Sequence, residues 1–295
     1  MEKTMALDGI VIANITNELN KILTGGRITK IAQPEKDELL LTIKQSKEGT
    51  DGKTIRSKHM LVISVNPSLP LIYLTEDNKT SPLQAPTFCM VLRKHLNNCR
   101  IVGLEQIGLE RVLRFRLEHL NEMGDLCTKQ LYVELMGKHS NIIFCEEDNT
   151  IIDSIKHISS MMSSLREVLP GRDYCIPATQ DDRLNPLEVT EEAFMDMVMK
   201  KPTSITKALY SSFTGLSPLL ASEICHRSSI DGDMPVDSLD DDGKKHLFNN
   251  LTWIAEDVKS HTYKPNIIFK GKEPIDFSCI ELTQFCLLYT SPSPR

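Results

Sequence analysis

Glu134-Leu135-Met136-Gly137-Lys138-His139-Ser140-Asn141-Ile142-Ile143-Phe144 is the stretch whose reading decides the fold. Just before it, Leu131, Val133 and Leu135 alternate with Tyr132 and Glu134, the period of a half-buried strand. Ile142-Ile143-Phe144 starts a second apolar strand. Between them Gly137 supplies a permissive backbone, and Lys-His-Ser-Asn crowds polar groups into a turn. On physics alone this is a surface β-hairpin.

Upstream of the hairpin, Gly108 to Leu117 places Leu113, Phe115 and Leu117 on one strand face and Arg114 and Arg116 on the other. Over residues 86–116 the basic residues Arg93, Lys94, Arg100, Arg111, Arg114 and Arg116 face only Glu105 and Glu110, a local net charge of +4. Two readings stay open. One is a solvated sheet face laced with cross-strand ion pairs. The other is a phosphate-binding patch that uses the bidentate geometry of guanidinium groups.

Further toward the N-terminus, Pro86 opens a helix through Leu96, with Phe88, Val91, Leu92 and His95 on one face. Strands are predicted at 27–31, 38–44, 60–65 and 71–74, and 46–58 reads as a long exposed hairpin or loop. The first helix carries Leu7, Ile10, Val11, Ile15, Leu19, Ile22 and Leu23 and ends at Gly25-Gly26. Helix, strands, helix and more strands make an α+β arrangement, without a glycine-rich phosphate loop after a strand.

Downstream, another strand covers 151–155, and Leu169-Pro170-Gly171 marks a boundary. Beyond it the chain turns helical. Thr190 caps a helix whose Phe194, Met197 and Val198 form an apolar stripe. A helix over 203–213 is followed by Thr214-Gly215-Leu216-Ser217-Pro218, with Ser217 as N-cap and Pro218 as the first residue of the next helix. Two short helices about a glycine turn form a helix-hairpin-helix, in which amide N–H groups at the turn and the positive end of the helix dipole can hold a phosphate. A plain αα-hairpin fits the same residues. Residues 228–242 read as an acidic linker, 244–258 as a helix with Leu247, Leu251, Trp253, Ile254 and Val258 apolar, and 266–269 as a last strand.

Apolar content of 40% and charged content of 25% are those of an ordinary soluble protein. No apolar run reaches the length of a membrane span, and the N-terminus lacks an uninterrupted apolar core, so a cytoplasmic protein without membrane contact is expected. The eight scattered cysteines include no C-x-x-C, which argues against a zinc ribbon and a disulfide framework. His95, Cys99, His139 and Cys145 lack zinc-ligand spacing, so no metal or cofactor is expected. A net charge of −6 argues against indiscriminate polyanion binding, but permits nucleic acid if the basic residues are segregated on one face.

The opening string resembles the E-[IL]-M-G-[RK]-H-S-N-[IL]-I signature of the NFACT-N domain. Met5-Ala6-Leu7-Asp8-Gly9, Pro86 to Leu96, Leu169-Pro170-Gly171, Gly215-Leu216-Ser217-Pro218 with Glu223-Ile224, and Pro265 to Leu282 are similar to further stretches of the family. The resemblance implies an NFACT-N fold (antiparallel sheets with two main helices, similar to the N-terminal part of formamidopyrimidine-DNA glycosylases) followed by a helix-hairpin-helix domain. It places the β-rich domain at 1–172, the helix-hairpin-helix domain at 173–232 and a linker, helix and return segment at 233–285. Residues 286–295 lack periodicity and read as a tail foreign to the native chain, which would then be truncated before the family's coiled coil and NFACT-R domain.

Members of this family, which includes the RqcH-type or fibronectin-binding protein A-like factors, act in ribosome quality control. The resemblance implies binding to obstructed large ribosomal subunits carrying peptidyl-tRNA, as a monomer. It also implies recruitment of tRNA (alanyl-tRNA in bacteria) for untemplated C-terminal tailing. A family Asp-Arg pair tied to tRNA recruitment falls on Glu110-Arg111, with Glu replacing Asp. The expected tRNA-binding set is Glu110, Arg111, Arg93, Lys94, Arg114 and Arg116, and Gly215, Ser217, Lys138 and His139 would meet RNA backbone. No catalytic residue is expected. A DNA glycosylase or AP lyase would need an N-terminal proline amine, where this chain has Met1-Glu2-Lys3. A fibronectin-binding surface adhesin, the older family label, is the third reading.

Overall fold

The structure, a computed structural model, describes residues 7–48, 54–121, 123–163, 166–176, 183–285 and 289–292. The chain forms two compact units. A sheet unit comprises Thr16–Ile107 and Arg111–Ala178, and a helical unit comprises Met1–Ile15, Gly108–Glu110 and Thr179–Arg295. The first helix, α1 (Gly9–Leu23), contributes residues to both.

In the sheet unit the strands are β1 (Arg27–Glu35), β2 (Glu38–Glu48), β3 (Thr54–Ser64), β4 (Leu71–Thr75), β5 (Arg100–Gln106), β6 (Val112–Leu120), β7 (Leu126–Glu134), β8 (Asn141–Glu146) and β9 (Ile151–Ser154). They pair antiparallel in the order β4-β3-β2-β1-β5-β6-β7-β8-β9. The expected alternation on β6 is realised: Leu113, Phe115 and Leu117 are fully buried. Phe115 stands opposite Leu131, which in turn stands opposite Phe144. Ile28, Ile43 and Ile101 line the same inner face and are fully buried. Each such side chain contributes about 1.5–3 kcal/mol by leaving water. Helix α2 (Thr87–Leu96) follows Pro86 and buries Phe88, Cys89, Leu92 and Leu96. It is tied to β1 where Arg93 Nε donates to the Ile31 carbonyl at 2.9 Å.

Of the two readings of 46–58, the hairpin is the one realised: β2 and β3 stay paired as far as Glu48 and Thr54, because an exposed ribbon needs main-chain pairing rather than apolar side chains. One expectation is corrected: the strand before the central turn is not half-buried, since Tyr132 and Glu134 are as enclosed as Leu131 and Val133. Val168 and Tyr174 pack with Val112, Tyr132, Met136 and Ile143 over that part of the outer face.

The helical unit contains α3 (Glu191–Met197), α4 (Ile205–Ser212), α5 (Pro218–Arg227) and α6 (Asp241–Lys259), with a three-stranded sheet of β10 (Asn266–Lys270), β11 (Glu273–Ser278) and β12 (Tyr289–Pro292) in the order β11-β10-β12. Thr190 caps α3 through Ala193 N, and Ser217 caps α5 through Leu220 N, with Pro218 in the first turn. Phe194, Val198, Leu209, Phe213, Leu220, Ile224, Leu247, Leu251 and Ile254 form the core. Met197 and Trp253 do not join it, being 47% and 63% exposed. The acidic stretch before α6 is anchored by buried Val236, and α6 begins at Asp241 because the Asp240 carboxylate accepts from Gly243 N at 2.8 Å. Residues 289–292, where the sequence placed no element, pair with β10.

Fully buried Glu223 holds the return segment to α5. Its carboxylate accepts from Thr283 N (2.9 and 3.0 Å), Thr283 Oγ1 (2.7 Å) and Gln284 N (3.0 Å), and pairs with Arg227 at 2.8 Å.

Candidate nucleic-acid interface

Glu110 and Arg111 are half-buried and consecutive; Glu110 closes the Gly108–Glu110 segment of the helical unit, and Arg111 precedes β6 of the sheet unit. The Arg111 carbonyl accepts from Leu135 N at 2.8 Å. The Gly108–Glu110 segment is fixed within the helical unit by close backbone contact. A Cβ on Gly9 would stand 2.1 Å from the Leu109 carbonyl oxygen, and one on Gly215 would stand 2.6 Å from it. Gly9 N donates to the Gly215 carbonyl at 3.0 Å, and Gly215 holds φ +78°, which favours glycine.

Ser217 belongs to the same knot. Its hydroxyl donates to Asp8 Oδ2 at 2.7 Å and accepts from Leu220 N at 3.3 Å. The other Asp8 oxygen accepts from Val11 N at 2.8 Å, inside the first turn of α1. Gly215 and Ser217 thus already serve the packing of the turn through one carbonyl and one hydroxyl.

The β6 arginines obey the ion-pair reading. Arg114 and Arg116 both reach Glu105 on β5, Arg116 Nε at 2.9 Å. The hydrogen bond from Arg114 to Glu105 holds the guanidinium above its ordinary pKa, against the cost of burial. One carboxylate serving two guanidinium groups leaves a surplus positive charge. On α2, Arg93 and Lys94 are exposed and make no ion pair among the described residues. Arg93 shares a hollow of about 260 Å³ with Thr29, Lys30, Ile31 and Asn97.

The central signature is mostly architectural. Glu134 is fully buried and takes Arg166 in a bidentate pair at 2.7 and 2.5 Å, with Tyr174 donating at 3.0 Å. Burial pushes its carboxyl up, opposed by Arg166. Asn141, also fully buried, bonds both the Lys156 carbonyl (2.9 Å) and Lys156 N (3.1 Å). The Lys156 ammonium in turn donates to the carbonyls of Val65 (2.5 Å) and Ser140 (2.9 Å), and burial lowers its pKa. Gly137–His139 forms a single 3₁₀ turn at φ +58° for Gly137, and only Lys138 and His139 project into solvent.

Sequence reading missed one group of cations. Arg100, Arg27, Lys44 and Lys58 stand directly opposite one another on β5, β1, β2 and β3. All four are exposed, on the face opposite Ile28, Ile43 and Ile101. Arg100 is also opposite Glu118 on β6, which puts the row on the face that carries Arg114 and Arg116. No local window holds residues 27, 44, 58 and 100, so only the strand register reveals them.

Among the described residues no cluster of three or more His, Cys, Asp or Glu side chains could hold a metal ion. None of their helices is long and apolar enough to cross a membrane.

Comparison with known proteins decides the family: residues 8–292 match the NFACT N-terminal and middle domains. The chain belongs to the NFACT family. It is 37% identical over 281 residues to the Rqc2 homolog RqcH of Bacillus subtilis, covering 95% of this chain and 45% of that protein. The archaeal Rqc2 homolog aRqcH of Methanocaldococcus jannaschii is 27% identical over 95% of the chain and 39% of its own length. This NFACT chain therefore spans less than half the length of those relatives. Among solved structures, the N-terminal part of the fibronectin/fibrinogen-binding protein from Streptococcus suis superposes with a TM-score of 0.72 at 29% identity, covering 94% of this chain and 91% of that one. It shares the antiparallel α+β NFACT architecture.

Proposed function

We propose that this chain is the RNA-gripping part of a ribosome quality-control factor. It would bind an obstructed large ribosomal subunit carrying peptidyl-tRNA and recruit tRNA for untemplated C-terminal tailing, with alanyl-tRNA as the bacterial substrate. The observation that carries the reading is the sorting of cations in an acidic chain. Arg114 and Arg116 stand on one face of the nine-stranded sheet and share Glu105. Arg93 and Lys94 stand apart from them on α2, which packs over the other face where His95 meets Phe144, and lack carboxylate partners among the described residues. The similarity to RqcH proteins over nearly the whole chain supports the same reading.

In this account Arg111, Arg93, Lys94, Arg114 and Arg116 engage tRNA phosphates, and Glu110 orients Arg111 or accepts from a ribose or base. Lys138 and His139 meet RNA backbone from the tip of the central turn. Gly215 and Ser217 act at the helix-hairpin-helix turn through amides left over from the packing described above. The module is non-catalytic and works in the cytoplasm as a monomer on the ribosome. Arg111→Ala is expected to reduce the tRNA that co-purifies with the protein at least several-fold while leaving the fold intact by circular dichroism. Undiminished tRNA recovery removes Arg111 from the site.

A second reading draws on the names of solved relatives, which include fibronectin-binding proteins of streptococci. Direct capture on immobilised fibronectin at physiological salt separates the two. A DNA glycosylase would be trapped on abasic DNA by borohydride, and no adduct is expected.

A further inference from the structure

The row Arg100–Arg27–Lys44–Lys58 has a cost that the fold does not require. Side chains directly opposite on neighbouring antiparallel strands approach to roughly 5 Å, and like charges so placed repel. Here the repulsion recurs across three consecutive strand pairs. None of the four makes an ion pair among the described residues; the Arg27 guanidinium donates only to the Asn98 carbonyl, at 3.0 Å. Glu118, opposite Arg100, is the carboxylate at the β6 end of the row. At the other end Arg56, two residues before Lys58 on the same face of β3, adds a further exposed cation opposite Ser46.

We propose that this row is a phosphate-binding track that seats one strand of RNA across the sheet, separate from the Glu110-Arg111 group. RNA as the partner rests on the proposed function; the track itself rests on strand register. Three strand spacings span roughly 14 Å. The exposed Ser46 hydroxyl beside the row supplies a neutral donor of the kind that positions a phosphate backbone. No exposed large hydrophobic side chain stands in register with these four residues, so the surface lacks the anchors that a protein interface or a membrane surface would use.

The test measures binding of a 20-nucleotide oligouridylate to the complete chain by fluorescence anisotropy, between 50 and 200 mM salt. The track predicts that Lys44→Gln with Lys58→Gln flattens the plot of log affinity against log salt by roughly 1.4, about 0.7 for each phosphate no longer neutralised. Lys44→Glu with Lys58→Glu should weaken binding at 100 mM salt by ten-fold or more. Identical slopes for the native chain and the double glutamine variant overturn the track. So does equal competition by polyglutamate or by anionic-lipid vesicles at matched charge. Arg111→Ala, run in parallel, separates the two proposals. If it alone weakens binding, the track fails and the tRNA site stands; if only the lysine variants do, the track stands and Arg111 leaves the site.

Discussion

Two groups of cations share the outer face of the nine-stranded sheet and differ in one respect. Arg114 and Arg116 are tied to Glu105, whereas Lys44 and Lys58, a few strands away, have no carboxylate partner among the described residues. Arg166, enclosed against Glu134, is the extreme of the first kind. The lesson is that a cation's contribution to the fold and its availability to a ligand run in opposite directions. A guanidinium held by a buried carboxylate is committed to structure. An ammonium held against its own kind is stable only because water screens it, and it gains from any polyanion that arrives.

That contrast can be broken at its strong end first. Arg166→Ala leaves Glu134 as an uncompensated buried charge and should cost about 3–5 kcal/mol, read from urea unfolding. A destabilisation below about 1 kcal/mol would mean that Glu134 does not depend on its partner. Glu105→Gln sits in the middle. It should destabilise by no more than about 1 kcal/mol, because the pairs it breaks are partly exposed. It should also steepen the salt dependence of RNA binding by releasing Arg114 and Arg116; an unchanged slope would show that these arginines do not meet phosphate. At the weak end, Lys58→Gln should leave stability within about 0.5 kcal/mol of the native chain while reducing RNA affinity.

Thiols show the same division between enclosed and available groups. Burial pushes Cys145 up to about 12 and Cys99 up to about 11, so neither forms thiolate near neutral pH. Exposed Cys175 should react with a thiol reagent in mildly alkaline buffer within minutes, and Cys99 and Cys145 only on unfolding. Labelling of Cys145 in the folded protein, located by peptide mapping, would contradict its burial.

The features legible in the sequence are those set by local chemistry. Pro86 before α2, Thr190 before α3 and Ser217-Pro218 before α5 mark their helices from sequence alone, because a cap acts within one turn of its helix. The alternation of Leu113, Phe115 and Leu117 with Arg114 and Arg116 is equally plain. Whatever depends on a partner distant in the chain is not. Glu134 has the pattern of the solvent side of a strand, and only Arg166 and Tyr174 closing over it make it interior. Trp253 has the spacing of a core residue, yet the apolar stripe of α6 is already filled by Leu247, Leu251 and Ile254. Glu105 cannot be assigned to Arg114 and Arg116 without the pairing of β5 with β6, nor can Arg27, Lys44, Lys58 and Arg100 be seen as neighbours. Register is long-range information, and it is where the candidate interface is decided.

The central claim is that RNA lies along one face of the sheet. Ultraviolet cross-linking of co-purified RNA, with the adducts located by mass spectrometry, tests it most directly. The account predicts nucleotide adducts concentrated in peptides from β1, β2, β3, β5 and β6 and at Arg111, with those of tRNA extending to Arg93 and Lys94 on α2. Adducts confined to α3–α6, or scattered over both units without preference, would contradict it.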